Sequence, residues 1–222
     1  MSKLVDESLK IEYDFNLYKR KPFFSFCKRL FDILASGLAL ILFSWLFIII
    51  AILVKCTSKG PVFYGHVRIG KRGKPFKVWK FRSMRMDSRP LEEILTPEQL
   101  EEYKRDFKIT NDPRVTKIGK FLRKTSLDEL PQLWNIFIGQ MSVIGWRPIL
   151  NEELERYKDN KKLLLMVRPG LTGFWASHGR SNTSYDERIK MELYYPVKRG
   201  FLLDINIFFN TIIGVFKGEG AK

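Results

Sequence analysis

An uncharged, strongly apolar run from residue 33 to residue 54 limits what this chain can fold into more than any other feature. It is long enough to cross a bilayer as a helix, since about 20 apolar residues span the hydrocarbon core. It does not resemble a cleavable signal peptide, because it begins late and no small-residue cleavage site follows it. The run therefore predicts a helix that enters a membrane, and a spanning helix is the simplest form of it.

Positive charge lies on both sides of this run. The basic residues before it are Lys19, Arg20, Lys21, Lys28 and Arg29, and those after it are Lys55, Lys59, Arg68, Lys71, Arg72 and Lys74. Such charge normally marks the cytoplasmic flank of a membrane helix, and here both flanks qualify. A hairpin that enters and leaves the membrane on the same face resolves the conflict.

Composition narrows the class of partner. The 222 residues carry 39 lysines and arginines against 24 acidic residues, a net charge of +15. This excess indicates an anionic partner: nucleic acid, an anionic membrane surface or a phosphorylated substrate. The two cysteines, Cys27 and Cys56, are most simply free thiols of a reducing cytosol. Two histidines and no metal-type cysteine spacing argue against a zinc site.

The stretch SLDELPQLWN at residues 126–135 places two carboxylates, Asp128 and Glu129, where a helix is expected to begin. Pro131 fits a helix only in its first turn, and Ser126 and Glu129 have the spacing of a capping box. Free N–H groups and the helix dipole would favour the ionised carboxylate there, and could help to hold a phosphate or a metal-bound anion. The simpler alternative is that both acids merely start a helix.

The wider context resembles one protein family. Residues 110–135 run into residues 139–148, and together they resemble the bacterial sugar transferases, the monotopic phosphoglycosyl transferases that start surface-polysaccharide synthesis. The resemblance covers roughly residues 25–222. Further family-like stretches lie at residues 28–32, 60–64, 76–84 and 168–173.

The resemblance implies a mixed, helix-rich α/β monotopic membrane protein on the cytoplasmic face of the bacterial inner membrane. Its predicted parts are an N-terminal tail at 1–24, a re-entrant membrane helix hairpin at 25–58 and a small cytosolic catalytic domain with amphipathic interfacial helices at 59–222. The family breaks its re-entrant helix at a Ser-Pro pair, and here the corresponding pair is Ser44 and Trp45. Ser44 can bend a helix by bonding back to a carbonyl one turn earlier.

The resemblance also implies a reaction. Asp128 would attack the sugar-bearing phosphorus of a UDP-sugar, expel UMP and form an aspartyl phosphosugar, which undecaprenyl phosphate would then attack. Glu129 would help to hold Mg²⁺, and either carboxylate could be the direct metal ligand. Galactose and glucose are the expected sugars, inner-membrane lipids are expected neighbours, no nucleic acid is expected, and a homodimer is left open.

Several basic residues are candidates for binding substrate phosphate. They are Arg123, Arg147, Lys80, Arg82 and Arg168. Arg147 follows Trp146 where the family usually has a proline, which loosens the expected loop geometry. Lys80 and Arg82 stand two apart on a predicted strand and so share a face, which is equally typical of an ordinary exposed strand. Arg168 and Arg180 are weaker candidates, and His178 is expected to be structural.

Secondary-structure patterns complete the prediction. Strands are expected at 62–69 and 74–81, and helices at 90–106, 126–138, 151–165, 184–198 and 201–216. The last of these helices is amphipathic, which fits either a core-facing helix or one lying in the membrane interface. Residues 1–24 show no clear period and are expected to form a loosely held tail.

Two other functions remain open. One is a membrane-anchored protein that binds nucleic acid or anionic lipid without catalysis; it would show strongly salt-dependent binding and release no UMP. The other is a glycosyltransferase that forms a glycosidic bond and releases UDP. Many such enzymes use an Asp-x-Asp metal motif, which this sequence lacks.

Overall fold

The computed structural model describes residues 3–86, 89–106, 109, 111–179 and 183–216. These residues form two compact units. The first unit comprises the described residues up to Leu42, Gly65–Trp79 and the described residues from Gln132 onward. The second unit comprises Phe43–Tyr64 and the described part of Lys80–Pro131. The predicted division at residues 24 and 58 stays a prediction.

Helices dominate the chain. In order they are α1 Lys3–Lys10, α2 Pro22–Leu42, α3 Ser44–Thr57, α4 Leu91–Ile94, α5 Pro97–Asp106, α6 Lys117–Lys124, α7 Gln132–Phe137, α8 Asn151–Leu154, α9 Lys161–Leu164, α10 Phe174–His178, α11 Tyr185–Lys198 and α12 Phe201–Phe216. The strands are β1 Phe63–Ile69, β2 Pro75–Phe81, β3 Ser142–Ile144 and β4 Gly170–Thr172. The predicted mixed, helix-rich α/β class is confirmed.

The strands form two small sheets. β1 pairs with β2 across a short helical turn at Lys71–Gly73, which confirms the predicted strand pair. β3 runs parallel to β4, with Ser142 opposite Gly170. A Cβ on Gly170 would lie 2.1 Å from the backbone nitrogen of Gly145, so the two backbones can meet only because glycine has no side chain.

The main core of the first unit surrounds this parallel pair. Trp146 and Phe174 are almost fully buried, and the indole nitrogen of Trp146 donates to the carbonyl of Val167 at 3.1 Å. Tyr157 and Tyr195 are also almost fully buried in the same cluster. A buried indole or phenol needs a hydrogen-bond partner, and each of these side chains has one.

The prediction of a loosely held tail is wrong for the start of the chain. α1 packs on α11, and Val5 is only 2% exposed. Glu7 accepts a hydrogen bond from the hydroxyl of Tyr194 at 3.2 Å and pairs with the amine of Lys198 at 2.7 Å. The segment is short and polar, so its few apolar residues show no clear helical periodicity. The sequence therefore does not predict the face of α1 that packs on α11.

The apolar run forms two helices instead of one. No single helix in the described part of the chain is long and apolar enough to span a bilayer, but α2 and α3 pass that test together as a pair bent by 62°. The break falls at Phe43, directly before the predicted Ser44–Trp45 site. Apolar side chains along both helices are exposed, among them Leu38, Ile41, Trp45 and Ile48.

The other predicted helices are observed with different continuity. The helix over 184–198 is confirmed: it begins after Ser184, whose side chain and Glu187 form a capping box. The predicted helix over 151–165 is broken, because Lys158 takes a φ of +48°. α12 confirms the helix over 201–216; Ile207 is fully buried, whereas Leu202 is 85% exposed. α12 therefore combines a core contact with an exposed apolar face.

Candidate active site

The two adjacent carboxylates lie in a tight turn of the second unit. After α6 the chain reverses at Ser126, whose φ of +57° is left-handed, and Leu127–Glu129 form one turn of 3-10 helix. α7 begins only at Gln132, after Pro131. The predicted capping box is therefore wrong, because Ser126 makes no capping hydrogen bond with its side chain. The predicted helix over 126–138 is observed as two separate elements, the 3-10 turn at Leu127–Glu129 and α7.

Asp128 is buried, with 6% of its surface exposed. Burial raises the pKa of its carboxyl to about 6; the charge of Lys80 opposes this rise and the charge of Glu129 adds to it. The expectation that backbone N–H groups would favour the ionised form is outweighed here, because removal from water penalises the charged form more strongly. A carboxylate held this way is poorly solvated.

Lys80, near the end of β2, joins the two carboxylates. Its amine lies 2.5 Å from Oε1 of Glu129 and 3.9 Å from Oδ2 of Asp128. Lys80 and Glu129 each keep about a third of the side chain exposed. The pair can therefore meet a ligand from solvent, whereas Asp128 is largely shielded from solvent.

Arg123 stands at the end of α6 and adds a second positive charge. Its Nε donates to the hydroxyl of Ser83 at 2.9 Å, and its charge lowers the pKa of Asp128. Ser83 was not predicted as a site residue. Its place between Arg82 and Met84, inside a family-like stretch, was the only signal that could have marked it.

Arg82 points away from the carboxylates into the end of α3. It is 5% exposed, and its guanidinium donates to the carbonyls of Pro61, Ser58 and Val54. Helix ends leave carbonyls without partners, and Arg82 supplies donors to them. Arg82 thus has a structural role, and its binding of substrate phosphate stays a prediction.

The remaining predicted residues lie in the first unit or outside the described residues. Arg147 is exposed, and Arg168 donates from Nε to the carbonyl of Gly139 at 2.8 Å. His178 contacts Ser177 and Asn206, which fits the structural role expected of it. Arg180 lies outside the described residues. The phosphate-binding roles of Arg147 and Arg168 stay predictions.

A divalent cation could use only two protein carboxylates in this turn. Within the described residues no three of the His, Cys, Asp and Glu side chains cluster as a metal site. Asp128 and Glu129 offer the hard oxygen ligands that Mg²⁺ prefers, and Mg²⁺ usually completes its shell with water and substrate phosphate. The donor set therefore fits Mg²⁺ that is bound together with a phosphorylated substrate.

Comparison with known proteins places this turn in context. A family model described as bacterial sugar transferase matches residues 23–218. The chain is 46% identical to the exopolysaccharide production protein ExoY of Rhizobium meliloti over 204 residues, which is 90% of each chain. It is 45% identical to the undecaprenyl-phosphate galactose phosphotransferase of Salmonella typhimurium over 209 residues.

Coverage differs among these relatives. The Salmonella match takes in 93% of this chain but only 43% of that relative, and a sugar transferase of Haemophilus influenzae is covered to 42%. The chain therefore spans less than half the length of these two relatives. The family match nevertheless extends over nearly all of the chain and includes Asp128, Glu129 and Arg123. This chain belongs to the bacterial sugar transferase family.

Proposed function

We propose that this protein transfers a hexose 1-phosphate from a UDP-sugar to undecaprenyl phosphate, as the first membrane step in making a bacterial surface polysaccharide. The observation that carries the proposal is the buried Asp128 beside Lys80, whose amine also pairs with Glu129. Relatives named as undecaprenyl-phosphate galactose phosphotransferase and as UDP-glucose:undecaprenyl-phosphate glucose-1-phosphate transferase support it. Galactose and glucose are therefore the proposed sugars.

In the proposed first step an oxygen of the Asp128 carboxylate attacks the phosphorus that carries the sugar. The bond from that phosphorus to the bridging oxygen breaks, and UMP leaves with the bonding electrons. An acyl phosphate joins Asp128 to the sugar phosphate. In the second step an oxygen of undecaprenyl phosphate attacks the same phosphorus, which releases the product lipid and restores the carboxylate.

Charge placement supports these steps. Two anions must approach each other, and Lys80 and Arg123 supply positive charge beside the attacking carboxylate. Fixed charges of this kind favour a transition state whose negative charge spreads over phosphate oxygens. Lys80 holds Glu129 in the structure, so an arriving phosphate would compete with Glu129 for the amine.

Asp128 and Glu129 are the residues proposed to hold Mg²⁺. When bound, the cation would neutralise charge on the diphosphate of the donor and so make UMP a better leaving group. The protein's own residues orient the donor, exclude water around Asp128 and keep its carboxylate close to Lys80.

We also propose that the protein works at the cytoplasmic face of the inner membrane. The bent α2–α3 pair and the exposed apolar side chains of α12 support contact with lipid, and a re-entrant hairpin would place the active site beside the bilayer. The donor, a UDP-sugar, is a cytosolic metabolite, and the acceptor is a membrane lipid.

Release of UMP from a panel of UDP-sugars tests the proposal. Purified full-length protein with Mg²⁺ and undecaprenyl phosphate should release UMP from UDP-galactose or UDP-glucose, and Asp128→Asn should abolish this release. Asp159→Asn, at an exposed aspartate of the first unit, serves as the matched control and should keep full activity. Release of UDP in place of UMP would contradict the proposal and identify a glycosyltransferase.

A further inference from the structure

The first unit contains a cleft of its own that is strongly cationic. Five of its lining residues are basic and one, Asp32, is acidic. The basic residues are Lys28, Arg29, Lys71, Arg168 and Arg199. They come from distant parts of the chain, namely the start of α2, the β1–β2 turn, the segment before β4 and the end of α11. Folding therefore gathers positive charge that the sequence leaves dispersed.

Two of these cations already have partners. Lys28 pairs with Asp204 at 2.7 Å. Arg29 donates to the carbonyls of Ile136 and Phe137, at 2.7 Å in both cases. These two residues hold α2 against α12 and α7, and so have a structural role.

The other three cations are incompletely satisfied. Within the described part of the chain the side-chain amine of Lys71 has neither a hydrogen bond nor an ion pair. The guanidinium of Arg168 donates only from Nε, to the carbonyl of Gly139. Arg199 is only 6% exposed. One terminal nitrogen of its guanidinium donates to the hydroxyl of Tyr18 and the carbonyl of Lys19, whereas its Nε is buried without a hydrogen-bond partner. A buried N–H donor without an acceptor is costly, and an anion bound in the cleft would offer it one.

The mutual repulsion of the cations in the cleft also favours an anionic ligand. Burial lowers the pKa of Lys71, and the charges of Arg168 and Arg199 lower it further. Burial also lowers the pKa of Arg168, and the charge of Arg29 adds to this effect. The charge of Asp32 opposes this effect on Arg168, but Asp32 is one carboxylate among five basic residues of the cleft. An anion with several acceptor oxygens would relieve this repulsion.

The border of the cleft is apolar. Phe24 lines it and packs edge-on against Phe201, with ring centroids 5.1 Å apart. Nearby on the same two helices Phe23, Phe26 and Leu202 are 72%, 69% and 85% exposed. A ligand with a phosphate head and a hydrocarbon chain could place its head among the cations and its chain along these side chains.

We propose that this cleft binds a phosphate monoester carried on a hydrophobic chain, with Lys71, Arg168 and Arg199 holding the phosphate. A monoester fits because it carries close to two negative charges and three strong acceptor oxygens. The inference goes beyond the proposed function, because the cleft lies in the first unit and Asp128 lies in the second. The cleft itself is argued from its own residues.

Binding of dodecyl phosphate to the full-length protein in dodecyl maltoside tests the proposal, with inorganic phosphate as the second probe. The wild-type protein should bind dodecyl phosphate at least about tenfold more tightly than inorganic phosphate by calorimetric titration. Lys71→Met should weaken dodecyl phosphate binding by about tenfold or more. Lys74→Met, at an exposed lysine three residues away, is the matched control and should bind as the wild type does.

Two further readouts separate the possible failures. Lys71→Met should unfold at the same or a higher temperature than the wild type without ligand, because it removes an unpaired, part-buried charge. Asp128→Asn is expected to be inactive but should still bind dodecyl phosphate. Failure of the proposed reaction can therefore be distinguished from failure of this binding site. Equal dodecyl phosphate binding by Lys71→Met and the wild type would show that the cleft is not the phosphate-binding site. Equal affinity for dodecyl phosphate and inorganic phosphate would show that the hydrocarbon chain does not contribute to binding, and would contradict a lipid ligand.

Discussion

At the scale of single residues, Asp128 combines a chemical role with a cost to stability. The difference between its ordinary pKa of 3.8 and a pKa of about 6 in the folded chain corresponds to about 3 kcal/mol. Since the folded state holds the proton more tightly than the unfolded state, stability is lost as the pH rises between these two values. Above about pH 6 the loss is complete, and the ionised carboxylate is then available for catalysis.

Asp128→Asn should therefore stabilise the fold in a pH-dependent way. Near pH 8 the variant should be more stable than the wild type by up to about 3 kcal/mol, because a neutral amide pays no penalty for burying charge. Near pH 4 the two proteins should differ little. Urea unfolding in the presence of a chelator measures both values. The same difference at both pH values would show that burial does not perturb Asp128.

The sequence identified most of the active-site turn but not its electrostatics. Asp128, Glu129 and Arg123 could be found because they fall within family-like stretches. The raised pKa of Asp128 could not be found in this way, because its main cause is burial in the folded chain. Arg82 shows the same limit: alternation along the strand placed it on the face of Lys80, whereas its guanidinium caps α3.

At the scale of elements, Arg82 shows how the second unit is held together. Its guanidinium donates to three main-chain carbonyls, one in the last turn of α3 and two beyond its end. Arg82→Gln should destabilise the protein by about 3 kcal/mol, because the shorter amide cannot reach the carbonyls of Pro61, Ser58 and Val54 together. Arg85→Gln, at an exposed arginine nearby, should change stability by less than about 0.5 kcal/mol. Equal unfolding temperatures for the two variants would contradict this role.

Gly119 makes the contact between α6 and the end of the β1–β2 hairpin. A Cβ at this position would lie 1.8 Å from the carbonyl oxygen of Ser83. Alanine normally stabilises a helix relative to glycine, but here Gly119→Ala should destabilise, because backbone atoms must move apart. Chemical denaturation measures the sign. Gly200→Ala, where the nearest atom lies 3.9 Å away, is the control.

Helix and strand positions were largely predictable, and their breaks were not. The hairpin and α11 follow from periodicity and capping residues, including Ser184. The break at Lys158 and the left-handed Ser126 were missed, because neither residue is a glycine and nothing local favours a positive φ there. Such conformations are imposed by packing, which a single sequence does not display.

At the scale of the whole molecule, the bend at Phe43 leads to a prediction about topology. If α2 and α3 enter and leave the membrane on the same side, the residues before α2 and those after α3 both face the cytoplasm. Cys27 and Cys56 lie on either side of the apolar run, and Cys56 is exposed. Both should react with a membrane-impermeant thiol reagent only when the reagent reaches the cytosol. Reaction of Cys27 alone in intact spheroplasts would show that the segment spans the membrane.

The covalent intermediate is the central claim, and intact-mass measurement tests it most directly. Full-length protein mixed with Mg²⁺ and its UDP-sugar, without lipid phosphate, should release UMP in a burst equal to the amount of enzyme. Rapidly quenched samples should then carry the added mass of one phosphohexose, and Asp128→Asn should carry none. No adduct, together with no UMP until undecaprenyl phosphate is added, would contradict the account and indicate direct transfer between the two substrates.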